Sequence, residues 1–387
     1  MASITRKATL FSIATALAAA GATAATTVFA PGASAASVSA AAPRIAFSGA
    51  VGFGAGATGG SGGSTYHVTN LKDSGAGSFR DAVSASGRTI VFDVGGYITL
   101  SSAVSVKSNL TIEGDTAPGQ GIGLMGREVS FANSSNDIVR YVRFRQGTLD
   151  PNTGKSALSL SSASNMIFDH VSVEFGSWDD IDAVGAKNIT VQDSIIADPI
   201  GQRFGAHTET GPFTWYHDVF ANSHNRNPLA KANTQFIDNV VYGYQGGYTA
   251  GNSGGVFTHD VVDDYFIAGP ETSSPSDAYF QMTNQKVYNS GNLLDPDKNG
   301  VLGGSSLGLG GGATALGSPW ASTTNSIATQ SARSAYSWDL ANSGDLPRDQ
   351  VDALVAADVS SAGTSGHLWS SQTQTGLGNN GYGTISG

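Results

Sequence analysis

The sequence predicts an all-β protein, a right-handed parallel β-helix closed by short capping helices, and three observations predict it. A short motif recurs about every two dozen residues through the middle of the chain, which is the signature of a solenoid. Only 13% of the 387 residues are charged and 51 are glycine, a balance that favours many short strands and tight turns over amphipathic helices. The chain also has no cysteine, so its stability has to come from a large core or a bound metal, not from disulfides.

Each copy of the motif alternates apolar and polar residues, bends at a polar one and runs apolar again. The copies read VRYVRF from Val139, FDHVSV from Phe168, VQDSII from Val191, WYHDVF from Trp215, FIDNVV from Phe236 and FTHDVV from Phe257. Their third residues, Tyr141, His170, Asp193, His217, Asp238 and His259, are 29, 23, 24, 21 and 21 residues apart, and NLTIEGD from Asn109 supplies an earlier copy. Because the bend keeps its phase, the strands fit coils stacked about 4.8 Å apart and not hairpins of one flat sheet. The third column reads as a structural ladder of paired His and Asp side chains. The fourth, Ser194, Asp218, Asn239 and Asp260, reads as a polar ladder satisfying neighbouring turns.

The ends differ from the repeat, as capping requires. GSFRDAVS, from Gly77 to Ser84, reads as a short helix closing the first coil. Gly303 to Thr324 reads as a loop, and Leu346 to Val359 as a helix with Pro347 near its start. The stretch after Gly363 is expected to run extended or loosely packed on the exterior.

At the other end, Arg6 and Lys7 precede an apolar run from Ala8 to Ala30 and the small-residue site Ala33-Ser34-Ala35. Residues 1–35 therefore read as a secretion signal, 36–44 as a linker and 45–387 as a single β-helical domain. The expected product is extracellular and monomeric, with no membrane partner. Without Arg6 and Lys7 the chain has 18 basic and 30 acidic side chains, which argues against nucleic acid. A polyanionic substrate would need a local basic patch or a bound cation to overcome the repulsion.

One coil holds the dense acidic stretch SWDDID from Ser177. Asp179 falls 14 residues before Asp193, Arg203 falls 14 before His217, Ser156 falls 14 before His170, and Arg226 falls 12 before Asp238. On stacked coils these positions are neighbours, with Asp180, Asp182, His207 and Lys231 close by. Asp179, Asp180 and Asp182 offer the hard oxygens that Ca²⁺ takes, about six to eight at a time, and Arg and Lys on the next coils suit a substrate carboxylate. His207 and Ser156 are the candidate substrate-binding residues.

Several stretches in order resemble the pectate and pectin lyases of polysaccharide lyase family one. They are AFSGAVGFGAGATGGSGG from Ala46, YHVTNLKDSGAGSFRDAV from Tyr66, RTIVFDVGGYITL from Arg88, IEGDTAPGQGI from Ile112, NMIFDHVSV from Asn165 and SHNRNP from Ser223. The resemblance implies cleavage of a uronate polymer by β-elimination in a groove along one face. It implies Arg226 as the base for the C5 proton, Lys231 and Arg203 as further basic residues, calcium on Asp182 and Asp179, and Asp169 as support near the site. The sequence departs from the family pattern at Ser156 and Gly154, where acidic residues are expected.

Three alternatives stay open: a calcium-independent lyase of methylated pectin, a glycoside hydrolase using the three aspartates, and a non-catalytic β-helix that binds glycan. Unsaturated products, new reducing ends, or binding without turnover would distinguish them.

Overall fold

The computed structural model describes residues 45–251 and 254–386; the expected signal segment and linker lie outside the described residues. The chain forms the expected parallel β-helix, built from a 16-stranded and a 10-stranded sheet. Coil follows coil in parallel register, and the one antiparallel pair among the described residues, Leu293–Asp295 with Ser305–Ser306, comes near the end of the smaller sheet. No described helix is long and apolar enough to cross a membrane.

The recurring motif is the corner between the two sheets. Tyr141, His170, Asp193, His217 and Asp238 all have positive φ, between 48° and 57°, the left-handed region where His, Asp and Asn are enriched and Gly is freest. In the earlier copy the residue level with Tyr141 is Gly114, which is not left-handed but is required small, since a Cβ there would sit 1.7 Å from the Tyr141 carbonyl oxygen. The copy after Asp238 is displaced from its expected place. Its corner is Asp263, φ 58°, because Phe236 and Ile237 pair with Val261 and Val262. His259 instead lies inside the strand Thr258–Val262, buried, with Nδ1 2.8 Å from the Tyr248 hydroxyl.

The polar ladder exists with the same displacement. Backbone N–H groups of Val171, Ser194, Asp218, Asn239 and Asp264 donate to the side chains of Ser194, Asp218, Asn239, Asp264 and Asn292 in turn, at 2.7–3.1 Å. Asp264 thus holds the rung expected for Asp260, which accepts from Trp320, Ala321 and Thr324 instead. Of the expected His–Asp pairs, His217 lies 3.6 Å from Asp238 and 2.7 Å from Asp339 of a covering helix.

Before each corner the inward residues stack into one apolar column, with Val139, Phe168, Val191, Trp215, Phe236 and Val261 paired rung to rung and all buried. After the corner the motif is apolar on consecutive residues because that sheet is covered on both faces. Its outward side chains, among them Val219, Val240, Tyr242 and Ile267, pack under two helices. One is α3, Gln350–Ser360, which starts later than expected because the Asp349 side chain caps it by accepting from Val351 and Asp352. The other is α2, Ala332–Asn342, which the sequence did not announce; its buried stripe is Ala332, Ala335, Tyr336 and Asp339, too small and polar to read as an apolar face. α1, Phe79–Ala82, closes the first coil as expected, with Ser78 as its cap.

Candidate active site

The site lies on the outer face of the larger sheet, across the strands Asp179–Gln192, Phe204–Tyr216 and Leu229–Ile237. Alternation along a strand turns Ile181 and Ala183 into the core and Asp182 outward. Register then sets Ser159, Asp182, His207 and Leu229 on successive rungs, with Glu209 beside Lys231 two residues further on.

Arg226 joins this row from above. Its backbone is left-handed, φ 66°, a conformation that non-glycine residues adopt at a cost and that clusters at functional sites. Its guanidinium lies 3.9 Å over the Phe204 ring of the intervening coil, and Nη1 donates to both oxygens of Asp179 two coils down, at 2.8 and 3.1 Å. The same nitrogen is 3.4 Å from His207 Nδ1.

Asp179, Asp182 and His207 each offer one donor atom within 4.8 Å of the others. Asp179 is buried, and burial pushes its carboxyl up to about 7, with Arg226 opposing the shift and Asp182 adding to it. Asp182 accepts from Ser161 Oγ at 2.8 Å. Burial, then the charge of Arg226, lowers the His207 pKa, so the imidazole is neutral at pH 7, with Nε2–H donating to Glu209 at 3.0 Å and Nδ1 left as the acceptor. Glu209 also lies 3.4 Å from Lys231 Nζ.

Two expected members stand apart. Asp180 is fully buried and accepts from Gly176 N–H at 2.8 Å at the turn into the strand; burial drives its carboxyl well above the ordinary range. It takes no part in the cluster, so the three-aspartate cation site reduces to Asp179 and Asp182. Arg203 is one residue out of step, because the residue level with Asp179 is Phe204. A slip of one residue reverses a side chain, and Arg203 Nε donates to the Trp369 carbonyl at 3.0 Å, away from the row. Ser156 does sit on the rung below Asp179, its neighbour Ala157 donating to the Asp179 carbonyl, and it is buried in the wall of the groove.

That groove has a volume of about 330 Å³ and is lined by Lys155, Ser156, Ser159, Trp178, Asp182 and His207, among others. On the groove and the face beside it the cations are matched one to one: Lys155 with Glu128, Arg226 with Asp179 and Lys231 with Glu209. Asp182 has no cationic Lys or Arg partner among the described residues. Phe204, Glu209, Lys155 and Glu128 were not anticipated. Glu209 was legible, since it lies two residues from His207 and so on the same face; the others depend on how coils of unequal length align.

No protein-family model matches the chain. It is 41% identical over 355 residues to a probable pectate lyase C of Aspergillus fumigatus, an alignment covering 89% of this chain and 82% of that one. Among solved structures, its fold is similar to that of a thermostable pectate lyase, with a TM-score of 0.57 and 14% identity over 76% of this chain and 96% of that one. It is also similar to a pectate lyase of Bacillus sp. N165 in complex with trigalacturonate, with a TM-score of 0.53 and 18% identity over 76% and 98% of the two chains. With so close a relative aligned along most of both sequences, the chain belongs to the pectate lyase family.

Proposed function

We propose that this lyase is secreted and cleaves pectate or a related uronan by β-elimination, with Arg226 taking the C5 proton. The observation that carries the reading is the placement of Arg226, bent into a strained backbone conformation and laid across Phe204 beside two carboxylates and a neutral imidazole. The relatives named as pectate lyases, and the neighbour solved with trigalacturonate, support the substrate class. Secretion is supported by the basic, apolar and small-residue order of residues 1–35.

In the reaction the C5–H bond breaks, its electrons form the C4–C5 double bond, the C4–O bond to the next sugar breaks, and the departing oxygen takes a proton. A free guanidinium has a pKa above about 12, and Arg226 spends Nη1 on both oxygens of Asp179. Arg226 therefore acts as base only once Asp179 is engaged otherwise. Lys231, on the same coil, supplies positive charge towards the substrate carboxylates, and His207 and Ser156 line the binding surface. Arg203, facing Trp369, has no place in this step.

The residues fit calcium as half a site. Asp179 and Asp182 would hold it, while Asp180 is turned away and an imidazole is a poor ligand for a hard cation. When bound it would offset negative charge on the substrate carboxylate as the proton leaves. The unmatched charge of Asp182 supports the same reading, because a polyanion laid along this face meets the three cations Lys155, Arg226 and Lys231, each paired with its own acid, and Asp182 besides. The test is an ultraviolet absorbance rise from unsaturated uronate on polygalacturonate with calcium, repeated with methylated pectin, other uronans and a chelator. Absence of product from every substrate refutes the lyase reading; full activity with chelator refutes calcium alone.

A further inference from the structure

We propose that Lys155 and Trp178 form a second sugar-binding position in the groove, beside the cluster of Asp179, Asp182 and His207, that takes one unesterified uronate unit of the polymer. The inference rests on the uronan reading above and names two residues to which that reading gives no role.

Trp178 is one of the few large apolar side chains left 41% exposed, and it stands at the groove wall. Its indole is held edge-on against Phe204, centroids 6.3 Å apart at 82°, so an open aromatic face is presented without freedom to collapse. The Trp178 backbone N–H donates to the Lys155 carbonyl at 3.0 Å, which fixes the two residues beside each other on neighbouring coils. The Lys155 side chain is 47% exposed, and its Nζ lies 3.2 Å from Glu128 Oε1, while Glu128 is 7% exposed. A buried carboxylate thus orients the ammonium from below, and an ammonium has three donors, so one contact leaves others for a ligand. An apolar platform beside a single cation matches a pyranose ring carrying one carboxylate.

The Arg226 backbone lies three coil steps above Lys155, but its guanidinium reaches down to Asp179, one coil step from Lys155, so the position adjoins the reacting unit. The Lys155 ammonium pairs with Glu128 and not with the Arg226–Asp179 pair, so Lys155 acts on binding and not on the bond that breaks.

Steady-state rates of the full chain and its variants, with thermal melts to verify folding, test this on polygalacturonate and highly methylated pectin. Lys155→Ala raises KM on polygalacturonate about three- to fivefold, the scale of a half-exposed ion pair, with kcat unchanged and with no effect on methylated pectin. Trp178→Ala raises KM on both polymers, because stacking does not read the carboxylate. Glu128→Gln lowers KM on polygalacturonate by releasing the ammonium. If Lys155→Ala and Glu128→Gln move KM in the same direction, or neither moves it, the pair is structural and the proposal is overturned. A wild type active only on methylated pectin overturns it as well. A wild type that turns over no uronan refutes the underlying function instead, which separates the two failures.

Discussion

Arg145 and Arg226 are both arginines held by a carboxylate from another coil, and they differ in what covers them. Arg143 and Arg145 point outward from the smaller sheet and are sealed under α3. Arg143 meets Asp345 at 2.7 Å and Asp352 at 2.9 Å, Arg145 meets Glu174 and Asp352 at 2.9 Å and also Asp349, and every partner is buried. Arg226 uses one nitrogen on Asp179 and leaves Nε and Nη2 without hydrogen-bond partners among the described residues. The sealed pair has its bonding capacity filled, so it can only hold α3 in place. The open one has capacity left for a ligand, and this difference separates anchor from chemistry.

Electrostatics follows the same division. Under α3, burial pushes Glu174 well above the carboxylate range against the pull of Arg145, while for Asp352 the two arginines outweigh burial and hold it below. In the groove, burial wins at Asp179 despite Arg226. One arginine touching from an open side does not repay the desolvation that two enclosing arginines repay.

The sharpest way to break the comparison is to remove one arginine from each side. Arg226→Ala is expected to lower kcat on polygalacturonate by about 10³-fold, within the range for a lost general base, and to leave the thermal midpoint within a few degrees. Retained activity would remove Arg226 from the chemistry. Arg145→Ala should do the reverse, costing about 3–5 kcal/mol in a urea titration because buried acids lose their counterion, with kcat of the folded fraction unchanged.

Proton linkage offers a quieter contrast. Asp198, buried beside Asn222 on the sealed side, is pushed up to about 7 by burial, with Asn222 opposing and Asp358 adding. Its unfolded pKa is about 3.9, so between those values the folded state holds a proton that the unfolded state has lost. Stability contributed by this group is therefore present below about pH 4 and is lost as pH rises towards about 7, by an amount on the order of 2–4 kcal/mol. Asp198→Asn should flatten that fall when urea midpoints at pH 5 and pH 8 are compared; an unchanged slope would mean that Asp198 ionises freely.

Asn239→Ala, at the corner ladder, should cost about 1–3 kcal/mol by leaving the Asp218 N–H unpaired, again with kcat intact. The smallest effect is expected at Ser156→Asp, which returns an acid to the rung below Asp179. Calorimetry should then show tighter calcium binding, about tenfold. No gain there would count against Asp179 and Asp182 as the cation ligands.

Particular residues show how far the sequence could be read. The corner residues Tyr141 through Asp238 were legible because these coils each place a left-handed residue at one phase, and the motif repeats at that phase. His259 was misplaced because FTHDVV imitates the motif in composition, and only pairing with Phe236 and Ile237 shows that VVDDYF is the true copy. Arg226, Asp179 and Asp182 were found together, since distance from the corner nearly preserves register. Arg203 and Asp180 were not separable from them, because a one-residue difference in coil length decides which face a side chain takes.

The sequence by itself determined the coil, its corners, its apolar column and the acidic and basic residues that meet on one face, because all of these are periodic and period survives in one dimension. Tertiary structure alone decided which charges are sealed and which stay open. Whether α2 and α3 cover the smaller sheet while the groove on the larger one stays open depends on docking between segments more than a hundred residues apart, and no local pattern encodes that.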